Sequence, residues 1–177
     1  MKKVYLPSVD STNLYAKRQL ADFPKDSLTM IVAETQTHGR GQFEKRWISP
    51  KGNLYVTFVS FLPGYPADMT QIPLKTARQI QEWLFMYGIT AKIKWPNDLL
   101  VNHKKIAGIL CETLVHENRL AVILGVGLNV NMTEQEASQI EQPATSLRME
   151  TGRLFDLNTL IEQFPRPVDD AIDQCQE

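Results

Sequence analysis

The sequence predicts an α+β domain in which helices back a mixed β-sheet. Helical stretches are mixed with β-rich runs, and most of these runs follow one another directly along the chain. Strands adjacent in sequence pair as antiparallel neighbours, which favours this fold class. A length of 177 residues fits one domain spanning residues 1–177, which would bury about 70% of its unfolded surface.

The N-terminal part is predicted to hold three strands and one helix. We expect strands at 4–7, 28–34 and 53–62, and the last has apolar residues on both faces, as fully buried strands do. An Asp-Ser-Thr run predicts a helix over 12–21. The glycine- and cation-rich stretch 35–53 is predicted to be a loop.

The strongest helix signal lies at 70–87, where apolar residues recur at helical spacing and Gly88 supplies a typical stop. A last helix is predicted near the C-terminus, capped by Asp156 or Asn158.

Three further strands are predicted at 89–95, 106–115 and 119–130. The last two are joined by a polar turn at 116–118, and a loop is expected at 143–146.

The composition excludes some classes of partner. A net charge of −1, with 22% charged residues, gives no general attraction to nucleic acid or anionic membrane. The longest apolar run, 120–128, is too short to span a bilayer, and the N-terminus lacks a cleavable apolar signal. We therefore expect a cytoplasmic protein in which Cys111 and Cys175 are reduced thiols.

The most informative segment is 94–112, KWPNDLLVNHKKIAGILCE. Two apolar strand-like runs flank a short polar turn, and Trp-Pro-Asn-Asp at 95–98 precedes them. Lys105 lies just inside the second run, near Gly108. A lysine entering a strand beside a glycine can aim its ammonium at a ligand that the glycine allows to approach. The plainer interpretation of the Asn-Asp pair is a turn between strands.

A second segment, 34–47, is typical of an anion-binding loop. Gly39 and Gly41 flank Arg40, so that backbone amides and a guanidinium can converge on one anion. Trp47 offers a flat face for a purine, and the pattern suits a phosphate ester of a nucleoside. The plainer interpretation is a flexible loop that Trp47 anchors.

These segments together resemble biotin protein ligases. The family's KWPND…KxAG signature matches residues 94–108, and its GRGRxGRxW loop is similar to residues 39–47. Ser-Thr-Asn at 11–13 is similar to the family's STN element, although a helix N-cap is the plainer interpretation. Gly-Val-Gly-Leu-Asn at 125–129 is similar to its GxGxN strand end, and the resemblance covers most of 8–147.

The resemblance implies roles for the matched residues. Lys105 and Arg40 are implied as catalytic cations that stabilise charge on phosphoryl oxygens. The residues implied to bind biotin are Ser11, Thr12, Asn13, Gln36, Gly39, Arg40 and Gly108. The residues implied to bind the nucleotide are Gln42, Lys45, Trp47, Asn97, Asp98 and Asn129. Asp98 is also implied as a ligand of Mg²⁺, which proteins commonly hold with one carboxylate and substrate phosphates.

The implied reaction has two steps. Biotin's carboxylate attacks the α-phosphate of Mg·ATP and gives biotinyl-5′-AMP and pyrophosphate. A lysine of the biotin carboxyl carrier protein of acetyl-CoA carboxylase then attacks the mixed anhydride and releases AMP. The implied fold is related to class II aminoacyl-tRNA synthetases and lipoate ligases.

The loop differs from the family pattern at three positions. Gln42 and Lys45 stand where arginine is usual, and Glu44 stands where glycine is usual. Because glutamine lacks a guanidinium and lysine cannot form a bidentate fork, these differences predict weaker retention of the adenylate.

Two expectations concern the whole chain. No helix-turn-helix precedes residue 1, and an acidic stretch, 169–177, stands where many members continue into a small β-barrel. We therefore expect a monofunctional catalytic domain without a DNA-binding arm and with the barrel absent or truncated. Members often pair through exposed sheet edges, so a homodimer is the oligomer that the resemblance implies.

Two alternatives remain open. A lipoate or octanoate transferase shares the fold and a lysine, but is expected to lack the Trp-Pro-Asn-Asp run. A protein that binds biotin or its adenylate without catalysis would be consistent with the residues at 42 and 44.

Overall fold

The computed structural model describes residues 1–62, 69 and 71–164. The strands within these residues are β1 (Lys2–Leu6), β2 (Thr29–Ala33), β3 (Leu54–Leu62), β4 (Lys92–Lys94), β5 (Asp98–Val101), β6 (Lys104–His116) and β7 (Arg119–Leu128). The α-helices are α1 (Thr12–Arg18), α2 (Gln71–Phe85), α3 (Glu134–Ala137), α4 (Leu147–Thr151) and α5 (Leu157–Gln163).

The strands form one sheet in the order β1-β2-β3-β7-β6-β5-β4. β1 and β2 are parallel, and all other neighbours are antiparallel. The predicted α+β class with a mixed sheet is therefore confirmed. Successive hairpins from β4 to β7 account for the half of the sheet that carries the informative 94–112 segment.

The sheet has a core on each face. Residues of α2 and α5, such as Ile80, Leu84 and Leu160, pack on one face. The other face is covered by α1 and the turn after it, through Ala16 and Leu20. The two central strands, β3 and β7, are buried almost throughout, which for β3 confirms the prediction from its two-sided apolar pattern.

The predicted strand 89–95 is wrong in its extent. β4 covers only Lys92–Lys94, because the Ile89 amide donates to the Leu84 carbonyl at 3.2 Å and so completes the end of α2. Gly88 adopts a φ of 79° at this point, which confirms it as the helix stop. The predicted first residue of this helix, Thr70, lies outside the described residues.

The predicted helix over 12–21 is shorter than expected, because α1 ends at Arg18 and a 3₁₀ turn, Leu20–Asp22, follows. The helices α3 and α4 were not predicted, since four or five residues are too few to display an apolar period. At α5 the Asp156 alternative is confirmed, because its carboxylate accepts the Thr159 amide at 2.9 Å.

Both hairpin turns next to β6 use the left-handed region. Asn102 and His103 connect β5 to β6 with φ of 48° and 66°, and Glu117 and Asn118 connect β6 to β7 with φ of 49° and 61°. Two successive residues with positive φ match the twist of the flanking strands. The short β5–β6 turn places Lys105 at the start of β6.

No helix in the described part of the chain is both long and apolar enough to cross a membrane. Cys175 and the acidic stretch 169–177 lie outside the described residues.

Candidate active site

A cavity of about 910 Å³ opens on the sheet beside the start of α1. Its wall combines α1 with the loop 36–48, the turn 94–98, and parts of β6 and β7. Every residue predicted for the site lines this cavity except Gly39. The sequence motifs are thus brought together in one place, and their contacts with ligands stay predictions.

The floor of the cavity is formed where two glycines pair across β6 and β7. Gly108 lies opposite Gly127 in the register. A β-carbon at Gly127 would lie 2.5 Å from Trp47 Cε2, and one at Gly108 would lie 2.9 Å from Trp47 Cζ3. The missing side chains therefore let the indole lie against the sheet. Trp47 and Lys105 lie beside the position that a side chain at Gly108 would take, and ligand binding at this glycine stays a prediction.

Lys105 is held between a carboxylate and an aromatic ring. Its Nζ lies 2.7 Å from Asp98 Oδ1 and 5.1 Å from the centroid of the Trp47 ring. The side chains of Lys105 and Asp98 are only 15% and 19% exposed. A partly desolvated ion pair and a cation–π contact together fix the ammonium at the cavity wall. The adjacent Lys104 is exposed.

The backbone of Lys105 is also fixed, by the loop that was predicted at 143–146. The Lys105 amide donates to the Pro143 carbonyl at 2.8 Å, and its carbonyl accepts the Thr145 amide at 2.9 Å. Asn129 Nδ2 donates to the Thr145 carbonyl at 3.0 Å. This loop therefore clamps the residue that carries the ammonium.

The start of α1 is bonded to Gln36. Ser11 occupies the N-cap position, but its side chain makes no capping hydrogen bond. The Thr12 amide and hydroxyl both donate to Gln36 Oε1, at 2.9 and 3.1 Å. Gln36 Nε2 donates to Ser49 Oγ at 3.0 Å. The orientation of the Gln36 amide is therefore defined by its partners.

The segment 39–47 forms a small hairpin along the rim. The Trp47 amide donates to the Gly39 carbonyl at 2.8 Å, and the Gly41 amide donates to the Lys45 carbonyl at 2.7 Å. Gly39 does not line the cavity, since a β-carbon there would lie 2.4 Å from the Trp47 carbonyl oxygen. The structure thus places Gly39 behind the wall, and biotin binding by this residue stays a prediction.

The tip of this hairpin is exposed. Phe43 has a φ of 54° and is 89% exposed, while Gln42 and Lys45 on either side line the cavity. Arg40 Nη1 lies 3.9 Å from Glu112 Oε1. The side chain of Glu44 lies outside what the structure describes.

Asn97 binds the backbone of β6. Its Nδ2 donates to the Ile109 carbonyl at 2.7 Å, and the Ile109 amide donates to the Asn97 carbonyl at 2.9 Å. Asn97 and Asn129 therefore both join segments of the wall, and binding of a nucleotide by either stays a prediction.

Sequence reasoning missed a polar chain behind the wall. Glu112 accepts hydrogen bonds from Lys17 Nζ at 2.7 Å and Asn13 Nδ2 at 3.0 Å. Burial raises the pKa of the Glu112 carboxyl, but hydrogen bonds from Lys17 and Asn13 and the charges of Lys17 and Arg40 bring that pKa below its ordinary value. A glutamate within the apolar run of β6 was the available signal.

The other missed part of the wall lies between α3 and the loop 143–146, where residues 139–142 line the cavity. Nothing in that short polar stretch marks it as part of a site.

The metal prediction rests on a single carboxylate. The described residues contain no group of three His, Cys, Asp or Glu side chains close enough to hold a metal ion. Asp98 beside the cavity fits an ion held mainly by phosphate oxygens and water, which is how proteins usually bind Mg²⁺.

The sheet and its cavity have the class II aminoacyl-tRNA synthetase-like fold of biotin protein ligases. Residues 5–129 match the model of the biotin/lipoate A/B protein ligase family, and the chain belongs to that family. The resemblance to biotin protein ligases is thereby confirmed.

Curated relatives agree with this assignment. The chain is 34% identical to the bifunctional ligase/repressor BirA of Bacillus spizizenii over 163 residues, which are 90% of this chain and 50% of that protein. It is 32% identical over 158 residues to the biotin–[acetyl-CoA-carboxylase] ligase of Paracoccus denitrificans, covering 85% of this chain and 65% of that protein. The chain thus spans about half the length of the first of these relatives.

Among solved structures, the biotin protein ligase of Aquifex aeolicus in complex with biotin and ATP is similar with a TM-score of 0.81 and 29% identity, covering 99% of this chain and 72% of that one. The biotin protein ligase of Leishmania major in complex with biotinyl-5-AMP gives a TM-score of 0.63 and 27% identity, covering 99% and 73%.

Proposed function

We propose that this chain is the catalytic part of an ATP-dependent biotin protein ligase. The observation that carries the proposal is the convergence of Lys105, Arg40 and the start of α1 on one cavity. Two similar structures support it: the Aquifex aeolicus ligase holds biotin and ATP, and the Leishmania major ligase holds biotinyl-5-AMP. Cytoplasmic location belongs to the same proposal.

The first proposed step forms an acyl-adenylate. An oxygen of the biotin carboxylate attacks the α-phosphorus of ATP, a carboxyl–phosphate bond forms, and the bond to the β-phosphate breaks with release of pyrophosphate. Lys105 and Arg40 would stabilise the negative charge on the phosphoryl oxygens. Asp98 would hold Mg²⁺, which supplies further positive charge for the phosphates when bound.

The second proposed step transfers the acyl group. The amine of a lysine on the carrier protein attacks the biotinyl carbonyl, an amide forms, AMP leaves with the electrons of the broken bond, and the amine loses a proton. Biotin's carboxylate is a poor acylating group, so activation must come first, and the anhydride must be shielded from water. The exposed hairpin 39–47 at the rim is the proposed cover.

Biotin-dependent exchange of labelled pyrophosphate into ATP tests the first step alone. We expect exchange that requires biotin and Mg²⁺ and that lipoate does not support. Lys105→Ala should lower the exchange rate by about 100-fold or more, as loss of one preorganised donor does. Lys104→Ala is the matched control, since that neighbouring ammonium is exposed, and it should exchange like the wild type.

Three outcomes would contradict the proposal in different ways. Exchange with lipoate in place of biotin would favour the lipoate alternative. Biotin binding without exchange would favour a non-catalytic binding protein. Equal activity in the two lysine variants would remove Lys105 from the proposed chemistry.

A further inference from the structure

Two side chains behind the cavity wall, Glu112 and Thr57, do not line the cavity themselves. They nevertheless form part of a chain of hydrogen bonds that ends at Thr12, which does line it. Thr57 is fully buried, and the Glu112 side chain is only 20% exposed. Which group donates at each of these hydrogen bonds follows from which side chains carry a proton to donate.

Glu112 determines how the Asn13 amide is oriented. The end of this amide that carries Nδ2 lies 3.0 Å from Glu112 Oε2 and 3.2 Å from the Leu110 carbonyl oxygen. Both neighbours can only accept hydrogen bonds. The Leu110 carbonyl has no proton to donate, and the Glu112 carboxyl is ionised at neutral pH. The NH₂ group of Asn13 must therefore point toward them, which leaves its Oδ1 facing Thr57 at 2.6 Å.

Asn13 in turn determines the role of the Thr57 hydroxyl. A hydroxyl has one proton, and Asn13 Oδ1 can only accept, so Thr57 donates to Asn13. Thr57 Oγ1 is then an acceptor toward Thr12 Oγ1, 2.8 Å away. Gln36 Oε1, at 3.1 Å, is the other acceptor beside the Thr12 hydroxyl.

The Thr12 hydroxyl is thus left with acceptor capacity only. Whether the Thr12 hydroxyl donates to Thr57 or to Gln36, its proton points into the hydrogen-bond network and away from a ligand. The remaining lone pair of Thr12 can accept a hydrogen bond from a group in the cavity. A ligand N–H is the complement of this arrangement.

The same carboxylate also contacts the predicted catalytic arginine. Glu112 Oε1 lies 3.9 Å from Arg40 Nη1 and 2.7 Å from Lys17 Nζ. Its negative charge therefore acts on the last turn of α1 through Lys17 and on the hairpin 39–47 of the wall through Arg40.

We propose that Glu112 is a positioning residue that orients Asn13 and Thr57, so that Thr12 accepts a hydrogen bond from a ligand N–H. This inference rests on the proposed function, in which that N–H belongs to the ureido group of biotin. Glutamine at 112 could present either its oxygen or its NH₂ group to Asn13, so it would no longer define one direction.

Isothermal titration with biotin, and separately with N-methylated biotin, tests the inference. The wild-type chain should bind biotin and discriminate against methylation of the ureido nitrogen. Glu112→Gln and Thr57→Val should each weaken biotin binding about 10-fold or more and reduce this discrimination. Thr57→Val leaves the contact between Glu112 and Arg40 in place, so ATP binding should be unchanged in that variant. In the double variant, the loss of biotin affinity should be smaller than the product of the two single losses, because both residues act through the same series of hydrogen bonds. Lys17→Met removes a different partner of the carboxylate and should change biotin binding less than about threefold.

The outcomes separate this inference from the proposed function. Failure of the wild type to bind biotin overturns both. Wild-type binding with unchanged affinity and discrimination in Glu112→Gln overturns the inference alone, as does an equal loss in Lys17→Met. If thermal melting shows that Glu112→Gln does not fold, Thr57→Val decides by the same criteria, since valine matches threonine in shape.

Discussion

The position of Trp47 depends on what two residues lack. Gly108 and Gly127 have no side chains, and the indole fills the space above them. Lys105 Nζ lies 5.1 Å from the centroid of this ring. The indole Nε1 is buried without a hydrogen-bond partner among the described residues. A methyl group on the floor would therefore move both the ring and the ammonium that it supports.

Gly127→Ala tests this arrangement. The new β-carbon would meet Trp47 Cε2 at 2.5 Å, so the indole must shift toward the cavity and toward solvent. We expect a red shift of the tryptophan emission and a loss of biotin-dependent pyrophosphate exchange of about tenfold or more. Thermal melting of the same sample checks that the fold persists. An unchanged emission spectrum together with normal exchange would show that Trp47 does not need this glycine.

The Glu112 carboxyl gives a pH prediction. Its pKa in the folded chain is below the ordinary value of 4.5, so the folded state favours the ionised form. The resulting stabilisation is present above pH 4.5 and is lost as the pH falls through the folded-state pKa. In urea unfolding, the wild type should be more stable than Glu112→Gln at pH 7, and the difference should narrow under acid. A difference that widens on acidification would contradict the assignment.

Short elements, as well as the long strands β6 and β7, position the site. The helices α3 and α4 have four and five residues, yet they flank the wall segment 139–142 and the loop that clamps Lys105. At the start of α4, the buried Ser146 hydroxyl accepts the Met149 amide at 3.1 Å and donates to the Met132 carbonyl at 2.7 Å. One hydroxyl thus fixes the helix directly after that loop.

Ser146→Ala should lower the free energy of unfolding by about 1–3 kcal/mol, because it removes a helix cap and leaves a buried carbonyl without its partner. Chemical denaturation measures this loss. Ser138→Ala is the matched control, since Ser138 Oγ donates to the Gln135 carbonyl at an exposed helix end, and it should change stability by less than about 0.5 kcal/mol. Equal effects of the two substitutions would contradict the role assigned to Ser146.

At the scale of the molecule, the long elements could be predicted from the sequence because their periodicity is strong. β3, α2, β6 and β7 all lie where their apolar patterns predict. The strand β4 was predicted to be longer than it is. The apolar residues that follow α2 resemble the start of a strand, but the first of them bonds to the last turn of the helix. The order of strands in the sheet depends on contacts between distant segments, which no local pattern records.

The sequence motifs identify many of the residues that line the cavity, but the hydrogen bonds behind its wall could not be predicted. Motif residues from 11 to 129 converge on one cavity. Glu112 and Thr57 were missed, because a single polar residue in a buried strand gives no sign of its distant partner. The close approach of the Trp47 carbonyl, which requires a glycine at 39, joins segments that are distant in the local pattern, and so it was also missed.

The most direct test of the proposed function is transfer of biotin to an apo carrier domain, detected by streptavidin blot. With ATP and Mg²⁺, the wild-type chain should label the carrier, and Lys105→Ala should abolish the label while Lys104→Ala retains it. Label on unrelated added proteins as well would indicate that the adenylate escapes, as the Gln42 and Lys45 differences predict. No label from a chain that binds biotin would contradict ligase activity in this domain.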